Sequence, residues 1–98
     1  MKKNYYIFKT DKVAGKTTHI CNGSHDSEHE CRIHWQSYMY GFMDQAFELL
    51  GAQNFQMRQG EHELSFELYV PQLDGKCIEY FMLFDKEGRD LIYETCNQ

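Results

Sequence analysis

The chain has 98 residues, 42% hydrophobic and 15% aromatic, and a formal charge of −5 from fifteen acidic and ten basic residues. That length suits one domain, residues 1–98, with one core. The acidic balance argues against binding a phosphate backbone by bulk electrostatics and favours meeting a basic surface, while no apolar run approaches the roughly 20 residues that cross a bilayer.

The start, Met1-Lys2-Lys3-Asn4-Tyr5, lacks the apolar stretch of a secretory signal, so a cytoplasmic location is expected. In a reducing cytosol the four cysteines are free thiols or ligands rather than structural disulfides. Tyr5 to Lys9 predicts a first strand from its aromatic and β-branched content, Asp11 to Lys16 a polar turn, and Thr17 to Cys21 the returning strand, broken by Asn22-Gly23-Ser24.

Ser27 followed by Glu30 has the spacing of a capping box. From Glu28 to Leu50 apolar residues recur at three- and four-residue steps, and Gly51 stands where a helix terminator belongs. Gly41 inside that helix suggests the close approach of another backbone.

The rest predicts strands over Asn54 to Arg58, His62 to Val70, Lys76 to Phe84 and Asp90 to Thr95. The run from Ile78 to Phe84 is apolar on both faces, as in a central strand covered on both sides. Pairing the last two strands around Gly88 as a bulge residue separates Glu79 from Glu94 and makes a Cys77–Cys96 bridge unfavourable. The expected fold is α+β, an antiparallel sheet of about six strands in the order β-β-α-β-β-β-β, with one long helix packed across one face.

Six of the nine cysteine and histidine residues, His19, Cys21, His25, His29, Cys31 and His34, fall within sixteen positions. Thiolate and imidazole are preferred zinc ligands, and Cys31 and His34 lie three residues apart at the helix start. Cys21 and His25 complete a Cys2His2 set for a structural zinc that would tie the second strand to the helix, with His19 as substitute for His25. The bland reading is solvated histidines and small core cysteines.

A catalytic metal site would use His25, His29 and His34 with Glu28 or Glu30 as base, but His29-Glu30 meets His34 one position too late for HExxH. A nucleophile at Cys21 or Cys31 has no evident orienting partner. Gly15-Lys16-Thr17 lacks the first glycine of a phosphate loop and is expected to be a turn.

Seven tyrosines and one tryptophan make Tyr40 and Tyr69, each on the polar side of its own pattern, candidate partner anchors. Acidic residues, among them Glu67 and Glu79, supply a negative surface. The expected function is therefore a non-enzymatic protein-binding module. An inhibitor or adaptor fits, of the kind phage and mobile elements direct at host nucleic-acid-binding defence enzymes, meeting a partner with a basic surface and leaving room for a homodimer. The alternatives are a small zinc- or thiol-dependent enzyme, and single-stranded nucleic-acid binding by the lysines of the first hairpin with the tyrosines.

Overall fold

A computed structural model describes residues 2–96. Five strands and two helices follow in the order β1 (Lys3–Asp11), β2 (Lys16–His25), α1 (Glu28–Leu50), β3 (Gln56–Arg58), β4 (Ser65–Val70), β5 (Lys76–Phe84) and α2 (Asp85–Cys96), with a short 3-10 turn at Pro71–Leu73. All strand pairs are antiparallel, and the sheet order is β2-β1-β5-β4-β3.

The first hairpin is longer than predicted. β2 runs through Asn22-Gly23-Ser24 to His25, because Tyr5 lies over Gly23, where a Cβ would stand 2.6 Å from the tyrosine Oη. The glycine admits a ring rather than ending a strand.

α1 spans the expected residues. Ser27 Oγ accepts the Glu30 N–H at 3.2 Å, Glu30 Oε2 accepts the Asp26 N–H at 3.2 Å, and Gly51 at φ 82° donates its N–H to the Phe47 carbonyl. The approach expected at Gly41 is absent: a Cβ there would meet nothing within 4 Å.

The largest departure lies at the C-terminal end, where the predicted strand over Asp90 to Thr95 is the helix α2 and the bulged turn at Gly88 is its first turn. The sheet therefore has five strands and the chain two helices. Asp85 makes the junction at φ 46°, a conformation that a short polar residue tolerates, and its carboxylate accepts the Asn4 N–H at 3.2 Å while pairing with Lys3 at 2.8 Å. Gly88, Leu91, Ile92 and Thr95 then recur at helical spacing, and Leu91 and Ile92 pack on Tyr6, Phe8 and Phe81.

β5 is central, and the two helices cover its two faces, as its doubly apolar sequence requires. On the α1 side Tyr5, Ile7, Phe66 and Met82 meet Cys31 and Trp35; further along, Val70 and Phe55 meet Ala46. α1 thus starts over the β2 edge beside His25 and ends over the β3 edge, a diagonal that leaves the corner holding the β1–β2 turn bare.

Candidate functional site

Cross-strand pairing with Lys3, Tyr5 and Ile7 puts His25, Gly23 and Cys21 on the α1 side of the sheet, and the first turns of α1 bring Cys31 and His34 above them. Tyr5 and the two imidazoles form a triangle of rings in mutual contact. The Tyr5 ring stacks on His25 at 5.6 Å and 12° and lies 4.8 Å from His34, and the two histidine rings are 5.2 Å apart. Burial, with His25 nearby, holds the His34 pKa below its usual value and so favours neutral imidazole. The Nε2 of His25 is buried without a hydrogen-bond partner.

The cysteines behave differently. Cys31 is fully buried and its Sγ donates to the Lys3 carbonyl at 3.6 Å; burial pushes its thiol up, away from the thiolate that nucleophiles and ligands need. His19 pairs with Phe8 and its ring lies tilted beside the Phe8 ring on the other face of the sheet, and His29 is exposed on α1. All four cysteines are free. Among the described residues no group of three or more His, Cys, Asp or Glu side chains is arranged to hold a metal ion. Of the set Cys21, His25, Cys31 and His34, the fold joins the two histidines.

The outer side of α1 is unusually apolar. Trp35 and Phe42 point into the sheet, whereas Ile33, Tyr40 and Phe47, seven residues apart, lie within about 40° of one another on the opposite side. Their exposures are 49%, 56% and 45%. Beside Tyr40 the helix and β3 enclose a groove of about 210 Å³ lined chiefly by Met39, Met43, Met57, Arg58 and Phe66. Glu28, Glu30, Asp44 and Glu48 make α1 acidic, since its one cation, Arg32, is held by Glu28 at 3.1 Å and by Glu63 at 2.9 Å.

Tyr69 and Glu67 lie on the other face of the sheet. The Arg58 guanidinium stands 4.7 Å over the Tyr69 ring, and Cys77 Sγ donates to Glu67 at 3.6 Å. Tyr40 is therefore not part of one patch with them.

Glu79 is not on the acidic surface at all. It is 1% exposed; its Oε2 accepts the His62 N–H at 3.0 Å and the His62 Nδ1–H at 3.1 Å, and its Oε1 pairs with Lys12 at 3.3 Å. Burial alone would raise its pKa, but those three donors outweigh burial and hold it below the usual carboxylate value. The His62 ring stacks flat on Phe81 at 3.8 Å, and a Cβ on Gly60 would stand 2.5 Å from Glu79 Oε2. Ser65 Oγ donates to the His62 carbonyl rather than to its ring, so no serine–histidine–glutamate relay is assembled and the cluster acts as a clasp on the loop before β4. The sequence held one signal for it, a lone carboxylate inside a strand apolar on both faces.

No protein-family model matches the chain, and neither curated proteins nor solved structures give a match.

Proposed function

We propose that the protein is a binding module for another protein, an inhibitor or adaptor, that docks through the outer side of α1 into an apolar groove with a basic rim. What supports this reading is the half-exposed stripe of Ile33, Tyr40 and Phe47, of which Tyr40 borders the methionine-lined groove and Phe47 also meets the Phe55 ring edge-on. Aromatic anchors and adaptable methionines suit an interface centre, and the acidic residues of α1 supply complementarity to cations at its rim. Helix-in-groove recognition reads such a stripe at turn spacing. Tyr69 and Glu67 would join only with a partner that wraps round the β3 edge.

The test is affinity capture from the native host with wild-type protein, a Tyr40→Glu, Phe47→Glu variant and a Leu73→Glu control, Leu73 being exposed on the 3-10 turn. The reading expects one protein held by wild type and control and lost by the double variant, with all three equally folded. Equal capture by all three would exclude the α1 surface, and a wild-type mass twice that of the monomer, halved by the double variant, would make the occupant a second copy.

A zinc reading is supported by the paired imidazoles and the unpartnered His25 Nε2. It expects added zinc to raise the melting temperature of the wild type and not of His34→Ala. A wild-type curve unmoved by zinc or chelator would end it.

A further inference from the structure

The corner that α1 leaves bare collects lysines from three strands. Lys9 of β1 is paired with Thr18 of β2, and Asp11 of β1 with Lys16 of β2 and Ile78 of β5, so their side chains emerge on the same face. Lys76, two residues before Ile78 on β5, joins them. Together they line a depression of about 200 Å³ to which α1 contributes no residue.

The charge there is uncompensated. Lys3, Lys12 and Lys86 are engaged by carboxylates, but among the described residues no ion pair within 4.0 Å engages Lys9, Lys16 or Lys76. The one carboxylate in the depression, Asp11, is occupied by the Val13 and Ala14 N–H groups at 3.0 and 3.1 Å. Three ammonium groups facing one carboxylate leave a surplus of two positive charges, in a chain that is otherwise acidic. The Thr18 hydroxyl offers a neutral donor, and Ala14 and Ile78 form an apolar wall.

We infer that this corner binds a phosphate dianion, free or as a small phosphomonoester, held by Lys9, Lys16 and Lys76 with Thr18 as hydrogen-bond donor. A dianion matches the surplus charge, and ammonium groups bind phosphate as point charges. The site is independent of the α1 surface and stands or falls separately from it.

The experiment is a titration of the uniformly 15N-labelled protein with inorganic phosphate, and separately with glycerol phosphate, at constant ionic strength in chloride. Saturable shifts confined to the amides around Lys9, Lys16, Thr18 and Lys76 are expected, and the probe with the lower dissociation constant identifies the source. Lys16→Ala with Lys76→Ala should weaken binding by about tenfold or more, since it removes two of the three cations. Asp11→Asn should instead tighten it by about threefold, because the amide keeps the turn's acceptor oxygen while removing the repelling charge. Absence of saturable shifts, or an Asp11→Asn protein that binds no better, overturns the assignment. So does a single-stranded oligonucleotide that saturates the same amides at lower phosphate concentration than either probe.

Discussion

Replacing Glu79 with alanine is expected to cost about 1–3 kcal/mol of unfolding free energy, the range for leaving hydrogen-bonding groups without their buried partner. The substitution removes the shared acceptor of both His62 donors, Glu79 itself being 1% exposed, while Lys12 keeps its pair with Glu61 at 3.1 Å. Glu79→Gln keeps an acceptor and should cost less. The same group sets an acid limb. A carboxyl whose folded pKa is depressed contributes stability that is fully present above its unfolded pKa, 4.5, and is lost as pH falls through the lower folded value. Urea melts of the wild type should therefore lose stability below about pH 4.5, with a flatter limb in Glu79→Gln. Parallel limbs in the two proteins would remove Glu79 from the account.

Gly88→Ala should be the most damaging glycine substitution among the helices. A Cβ there would stand 2.6 Å from Cγ and 2.9 Å from Cβ of Tyr6, whose ring is buried beneath α2, so the whole helix must shift off the sheet. Overpacking of this kind costs about 1–3 kcal/mol. Gly41→Ala makes the identical chemical change where nothing lies within 4 Å, and should gain up to about 1 kcal/mol from helix propensity alone. Thermal melts of the two proteins moving in opposite directions support the α2 packing; a Gly88→Ala protein as stable as the wild type contradicts it.

These sites also show what the sequence makes legible. α1 can be read end to end because its signals are local: Ser27 and Glu30 cap it, Gly51 ends it, and the apolar period between them is helical. The central place of β5 is legible from residues apolar on both faces. α2 is misread because Leu91-Ile92-Tyr93 has strand-like composition and Gly88 also fits a hairpin bulge; only the position of Tyr6, far away in the chain, decides between the readings. The predicted strand from His62 begins instead at Ser65, because the clasp of His62 on Glu79 takes those residues out of the ladder.

The candidate sites divide along the same line. Spacing on one helix and one strand brings His25 and His34 together, which local reasoning can foresee, whereas the fates of Cys31, bonded to the Lys3 carbonyl, and of Glu79 depend on contacts distant in sequence. Exposure of Tyr40 follows from its place opposite Trp35 and Phe42 on a regular helix. Lys76 joins the hairpin lysines only through the pairing of β1 with β5.

Photo-crosslinking in the native host tests the central claim most directly, with a benzophenone side chain placed in turn at positions 40 and 73. The docking account predicts a single adduct with one other protein from position 40 and none from position 73. Adducts from position 73 alone, or none from position 40 while the protein is folded and abundant, would contradict it.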